Sequence, residues 1–270
     1  MNRSTRLFKG VFWISLILFF VCVNTLAAVL YTGVEALDKG TGFISLSPLA
    51  DCIFWGSLML IFGAAALLCS LKIKPSIPPL PRVLRFPAGY LASLAVLSTT
   101  VLFMGILQLL DRFSVLIHLP FWGYVLFLAA AYPVCGYISC RRLNGRWTGA
   151  LWGLLFAAVF CGMAYAIICE VNAIDAAYLA QMTSGHYGTG YTERLMGKAL
   201  GAVLGRINLP ACVLMGNYEY AYYDGVHTVP RDLMAYLVCA CPPILFSLGW
   251  SIAVIREKFS KKSEKGDHGI

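Results

Sequence analysis

The chain has 270 residues, of which 59% are apolar and only 13% are charged, and its mean hydropathy is +0.75. About a quarter of the residues of a soluble globular domain are charged, so this composition excludes a chain built from ordinary soluble domains. The net charge of +8 does not indicate nucleic-acid binding, because Lys and Arg lie in short clusters beside apolar runs rather than on a face interleaved with aromatic residues.

The apolar runs predict six membrane-spanning helices. Each run is long enough to cross a hydrocarbon core of about 30 Å, and a helix satisfies its own backbone hydrogen bonds in lipid. The first run follows three basic residues, as a signal peptide does, but its uncharged stretch exceeds a signal core of about 7–15 residues. We therefore interpret it as an uncleaved span. In chain order the predicted spans are 11–31, 52–71, 89–110, 117–140, 148–169 and 233–255.

The distribution of charge predicts the orientation of these spans. Fifteen of the 21 Lys and Arg residues lie in the amino terminus, the second and fourth connections and the tail 256–270. Basic connections stay on the cytoplasmic side of a membrane. The sequence therefore predicts a multi-pass protein of the plasma membrane with both termini in the cytoplasm, a basic cytoplasmic tail at 256–270 and an external connection at 171–232.

The external connection contains one more apolar stretch, 195–215. A seventh span here would place Arg206 near the middle of the bilayer at a cost of about 2.5–3.5 kcal/mol, and it would move the basic tail outside. We predict that the stretch is helical but does not cross, and that it either lies on the outer surface or is re-entrant. The predicted fold class is therefore all-α: a polytopic α-helical membrane protein with six transmembrane helices and a partly helical external cap between the fifth and sixth.

Two patterns in this half of the chain predict local structure. Gly197, Gly201 and Gly205 recur at every fourth position and leave one helix face without side chains, which favours close packing by another helix or a re-entrant helix near a translocation path. Pro242 and Pro243 lie inside the last span and predict a bend there, either a fixed kink or a hinge.

No ionisable residue lies at the middle of any predicted span. Asn24 and Gln108 are the amides in the spans, and we expect them to hydrogen-bond across helices. A tyrosine-rich run in the external connection suits either the membrane interface or a surface for a ligand or partner. Its tyrosines are Tyr218, Tyr220, Tyr222 and Tyr223.

Six spans with cytoplasmic termini and a long outer connection before the last span resemble the layout of ABC-2-type exporter permeases. The resemblance is one of topology and includes no shared residue motif. It implies short re-entrant helices in the fifth-to-sixth connection and a cytoplasmic ATPase encoded elsewhere, since the chain has no Gly-rich phosphate loop of the Walker type. The first hypothesis is therefore a transport-related membrane subunit.

The second hypothesis is a non-enzymatic accessory, sensor or scaffold whose external cap binds a partner or ligand. An enzyme acting at the outer interface ranks last, because sequence spacing supplies no geometry for acid–base groups. Its candidates would be His186, His227, Glu193, Glu219 and Asp224. The ten cysteines match no zinc or thioredoxin-like spacing. We assign no catalytic, cofactor-binding or metal-binding residue; the expected partners are the bilayer and an ATPase or another membrane subunit, and an oligomer is compatible with the sequence.

Overall fold

A computed structural model describes residues 3–38, 46–72, 80–111, 121–183, 195–213 and 231–266. This part of the chain is 96% helical and contains no strand. A short 3₁₀ turn, Arg82–Leu84, precedes the third helix, and a further helical stretch begins at 209 and is described to 213. The longer elements are α1 Arg3–Asp38, α2 Leu46–Lys72, α3 Arg85–Asp111, α4 Phe121–Leu143, α5 Thr148–Thr183, α6 Leu195–Ile207 and α7 Arg231–Gly266.

Six of these helices are long and apolar enough to cross a membrane. Large apolar side chains stand exposed along them, for example Leu60 and Leu126, each with 69% of its surface accessible. Lipid solvates such faces, whereas water does not. The chain is thus an all-α polytopic integral membrane protein, which confirms the predicted fold class. The candidate spans are Leu7–Leu30, Ala50–Leu71, Arg82–Phe103, Gly123–Leu143, Thr148–Glu170 and Asp232–Phe259.

The chain forms two compact units, and the first comprises Met1–Leu84 and Leu91–Pro120. Here α1 packs along α2, with Phe12 buried against Ala66 and Cys69. The Asn24 side chain donates a hydrogen bond of 2.9 Å to the hydroxyl of Ser98 on α3. The prediction that Asn24 bonds across helices is therefore confirmed, whereas the side chain of Gln108 lies outside the described residues.

The second unit comprises Arg85–Tyr90 and Phe121–Ile270. In it α7 packs against both α4 and α5, and α6 packs against α5. Buried aromatic rings fill the space between these helices. The Phe86 ring meets the rings of Phe246 and Trp250 edge-on, with centroids 5.1 and 5.2 Å apart. Such edge-to-face pairs stabilise the packing by about 0.5–1.5 kcal/mol each beyond the area they bury.

Two glycines bring α4 and α7 into backbone contact. A Cβ atom on Gly136 would overlap the carbonyl oxygen of Phe246, and a Cβ atom on Gly249 would overlap the carbonyl oxygen of Pro133. Each helix therefore presents a glycine to the backbone of the other. We call these four residues the glycine crossing. Small residues at a helix interface allow such close approach, and in lipid this fit is a main source of attraction between helices.

The turn between α4 and α5 is fixed by its own backbone and by α7. Asn144 has a left-handed φ of 51°, and the Gly145 amide donates to the Cys140 carbonyl at 2.8 Å. This is the six-to-one hydrogen bond of a Schellman motif, which ends α4. The Trp250 indole N–H donates to the Arg146 carbonyl at 2.9 Å, so α7 holds the turn in place.

Helix α7 continues well beyond its apolar part. It runs to Gly266, so the described portion of the predicted tail 256–270 is helical. The Arg256 guanidinium donates to the Tyr137 hydroxyl at 2.9 Å, and the Lys258 ammonium lies 5.5 Å from the centre of the Trp147 ring. These contacts tie the start of the tail to α4 and to the turn that precedes α5.

Candidate functional site

The chain breaks its helix at Asn208. Helix α6 ends at Ile207. Pro210 has no N–H to donate to the Arg206 carbonyl, so the α-helical hydrogen bonds cannot continue through this position. The Asn208 amide still donates to the Leu204 carbonyl at 3.0 Å, while its own carbonyl accepts from Cys212 at 2.9 Å. Asn208 is thus the junction between α6 and the helical stretch that begins at 209. The predicted helix 195–215 is consequently divided in two.

The two sides of this break differ in burial. On α6, Val203 and Arg206 are exposed. From Asn208 onward the chain is enclosed, with only Cys212 half-buried among the residues 208–213. The Asn208 side chain itself has 0% of its surface accessible. A primary amide removed from solvent in this way is costly unless its donors and acceptor find partners.

Asn208 bonds to two other helices. Its side-chain Nδ2 donates to the backbone carbonyl of Val238 on α7 at 3.1 Å. Its Oδ1 accepts from the hydroxyl of Tyr90 on α3 at 3.3 Å. The donor bond is of ordinary length, whereas the bond from Tyr90 is longer than most hydroxyl hydrogen bonds. The break is therefore joined to α7 more firmly than to α3.

Two tyrosines of α4 complete the surroundings. The Tyr124 hydroxyl donates to the Pro210 carbonyl at 2.8 Å. Tyr132 is only 1% exposed, and its hydroxyl has no hydrogen-bond partner among the described residues. Tyr90, Tyr124 and Cys212 are among the polar groups near that hydroxyl. A buried hydroxyl without a partner is rare in proteins and is often functional.

Tyr90, Tyr124, Tyr132 and Asn208 together form what we call the polar centre. All four bear uncharged groups at neutral pH. The adjacent Cys212 is half-buried and is a free thiol. The polar centre can exchange hydrogen bonds with a neutral group, but its own side chains supply neither a carboxylate nor a base for proton transfer.

The residues singled out from the sequence fall in different places. Among the described residues, a Cβ atom on Gly201 or Gly205 would meet no atom within 4 Å, and the side-chain position of Gly197 is not described. Close packing on that face therefore stays a prediction. Pro242 and Pro243 lie within α7, and their role as a hinge also stays a prediction.

The four tyrosines of the tyrosine-rich run and all five candidate acid–base groups lie outside the described residues. They are Tyr218, Tyr220, Tyr222, Tyr223, His186, His227, Glu193, Glu219 and Asp224. Within the described part of the chain, no cluster of three His, Cys, Asp or Glu side chains could hold a metal ion, and all ten cysteines are free thiols.

Sequence reasoning did not assign the polar centre. Asn208 lies within the predicted helix 195–215, and the three tyrosines lie within the predicted spans 89–110 and 117–140, so no role was predicted for them. The available signal was an amide two residues before a proline in an otherwise apolar stretch. Such a pair breaks a helix and also provides side-chain groups that can bond to neighbouring helices.

Comparisons with protein-family models, with curated proteins and with solved structures find no match.

Proposed function

We propose that the chain is a transport-related membrane subunit of the permease type, which works with a separate cytoplasmic ATPase. The observation that carries the proposal is the bond between Asn208 and the Val238 carbonyl. Val238 lies six residues inside the candidate span Asp232–Phe259, or ~9 Å along the helix. Tyr90, the other partner of Asn208, lies eight residues inside Arg82–Phe103, or ~12 Å along that helix.

These depths support a broken helix within the membrane. Lipid cannot satisfy a broken backbone, so such breaks are tolerated only where protein encloses them or where they line a cavity. Secondary transporters commonly place interrupted helices near the middle of the bilayer to form their binding sites. A break that is fully enclosed, at the meeting of three helices, is therefore better explained by a transport path than by a surface cap.

In this proposal, 195–213 is a re-entrant segment. Helix α6 has 13 residues and is ~20 Å long, which is short of the ~30 Å of the hydrocarbon core. Single cysteines replacing Glu193 and Asn217, in a background without native thiols, should both react with an impermeant maleimide added outside the cell. Labelling of either cysteine only from the cytoplasmic side would exclude a re-entrant segment.

The chemistry of the polar centre favours a neutral cargo over an ion. Charged residues within the membrane usually mark ion or proton pathways, and the polar centre consists of hydroxyls and an amide. The Tyr132 hydroxyl, which has no partner among the described residues, is the group best placed to bind a neutral hydrogen-bonding part of a substrate.

The dependence on an ATPase can be tested on the full chain. The protein is purified in a mild detergent from its native membrane, and vanadate-sensitive ATP hydrolysis is measured in the eluate. We expect activity that co-elutes with the chain through size exclusion and is absent when the tag is placed on an unrelated membrane protein. If the chain is purified under conditions that preserve other ATPase complexes and no ATP hydrolysis is measured, the proposal is contradicted.

One observation favours the alternative of an accessory, sensor or scaffold protein. Gly201 and Gly205 lie about one turn apart on the same face of α6, and a Cβ atom at either position would meet nothing within 4 Å among the described residues. A helix of another subunit could pack there closely, as small residues allow. A cysteine replacing Gly205 that forms a crosslink to another protein, in a preparation without ATP hydrolysis, would favour this alternative.

A further inference from the structure

The two prolines of α7 leave carbonyl groups without their usual partners. In an α-helix each carbonyl accepts from the amide four residues later. The carbonyl of Val238 would therefore accept from residue 242, but Pro242 has no N–H. Within the helix, then, nothing can donate to the Val238 carbonyl in the normal way. Val238 is also only 5% exposed, so water is a poor substitute.

The missing donor comes from outside the helix. The Asn208 Nδ2 group donates to this same carbonyl at 3.1 Å. In membrane helices, side chains of neighbouring segments commonly satisfy the carbonyls that proline releases. Asn208 can do so because α6 ends next to this carbonyl, and the short Asn208 side chain therefore reaches the buried face of α7. The break at Pro210 and the proline pair of α7 thus meet at one hydrogen bond.

We propose that Asn208 and Pro242 form a conformational latch: the amide of the broken helix holds α7 at its proline site by replacing the donor that Pro242 lacks. The latch joins two segments of the second unit in which a proline interrupts the helical hydrogen bonding. When it is closed, the Val238 carbonyl is satisfied and the segment 208–213 stays enclosed. When it opens, that carbonyl and the Asn208 amide must both find other partners.

The latch also gives the predicted bend at Pro242 and Pro243 and the observed break at Asn208 a common role. A proline bend can act as a hinge only if its geometry is held in one state and released in another. The long bond from Tyr90 at 3.3 Å adds little resistance to release, so the bond to Val238 is the main connection of the Asn208 side chain. The use of this latch as a transport gate rests on the function proposed above, whereas its existence does not.

A double-mutant cycle tests the latch directly. Asn208→Ala should lower the Tm of the detergent-solubilised protein, because it leaves the buried Val238 carbonyl without a donor. In a Pro242→Ala background the restored amide at position 242 can donate to that carbonyl. In this background, Asn208→Ala should lower Tm by less than half as much as it does in the native background.

A matched amide elsewhere provides the control. Asn24→Ala removes the bond to Ser98, and both residues belong to the first unit, whereas residue 242 belongs to the second. Its effect on Tm should be the same with and without Pro242→Ala. If Asn208→Ala and Pro242→Ala are also additive, the latch does not exist.

A second comparison applies if Pro242→Ala does not yield folded protein. Tyr90→Phe removes the donor to Oδ1 and keeps the bond from Asn208 to Val238. We expect Tyr90→Phe to lower Tm by clearly less than Asn208→Ala, and equal losses would overturn the latch. Because both experiments measure stability, they can fail while ATP hydrolysis persists, and the reverse also holds.

Discussion

The glycine crossing and the polar centre hold the same helices by opposite means. At the glycine crossing, α4 and α7 approach until their backbones touch, and no atom can be added. At the polar centre, α4, α7 and the start of α3 surround a break in another helix, and hydrogen bonds make the connection. Lipid is as apolar as the side chains, so burial alone does not drive helices together. Close fit and hydrogen bonding hold the helices together instead. Of these two, only the hydrogen bonds can be exchanged for bonds to other partners.

The largest effect should come from adding one methyl group at the glycine crossing. In Gly249→Ala the new Cβ would overlap the Pro133 carbonyl, so α4 and α7 must move apart. We expect a loss at the upper end of the ~1–3 kcal/mol typical of overpacking, measured as thermal unfolding in detergent.

Gly162→Ala is the matched control for this change. Its Cβ would meet nothing within 4 Å, so stability should be unchanged or rise slightly, since alanine favours helix. Similar losses in the two variants would mean that helix contact does not limit stability at Gly249.

A smaller loss should follow from Trp250→Phe. Phenylalanine keeps an aromatic ring beside Phe86 but cannot donate to the Arg146 carbonyl. We expect a loss of about 1–2 kcal/mol in the same unfolding measurement, because the acceptor loses its indole partner. Trp152→Phe, at a half-buried site on α5, makes the same chemical change outside this turn and should cost less. A greater loss at Trp152 would rule out the hydrogen bond as the cause.

Within the polar centre, two identical changes should have different outcomes. Tyr124→Phe removes a 2.8 Å bond to the Pro210 carbonyl and should cost about 1 kcal/mol. Tyr132→Phe removes a buried hydroxyl without a partner among the described residues, so stability should be unchanged or improve. A loss for Tyr132→Phe as large as that for Tyr124→Phe would show that its hydroxyl is bound in the resting protein.

Composition and the length of the apolar runs were sufficient to predict the six long helices, because an apolar run that crosses a membrane must form a helix or a strand of a closed barrel. Asn24 was also predictable, since an amide in a span needs a partner on another helix. The partners of Asn208 were not, because they depend on which carbonyl of α7 faces the break. The same limit applies to glycine. The regular spacing of Gly197, Gly201 and Gly205 is visible in the sequence, whereas the importance of Gly136 and Gly249 depends on the backbone that lies opposite them in the structure.

The unbroken course of α7 has a mechanical consequence. From Pro243 to Gly266 the helix is ~35 Å long, so a change of about 10° at the proline pair would displace its far end by about 6 Å. The glycine crossing and the Trp250 hydrogen bond hold the beginning of that arm, and Arg256 and Lys258 hold its middle to Tyr137 and Trp147. A swing of the arm would therefore either break these contacts or carry the adjoining ends of α4 and α5 with it. In both cases a small rotation deep in the apolar part would become a displacement that a soluble protein could sense.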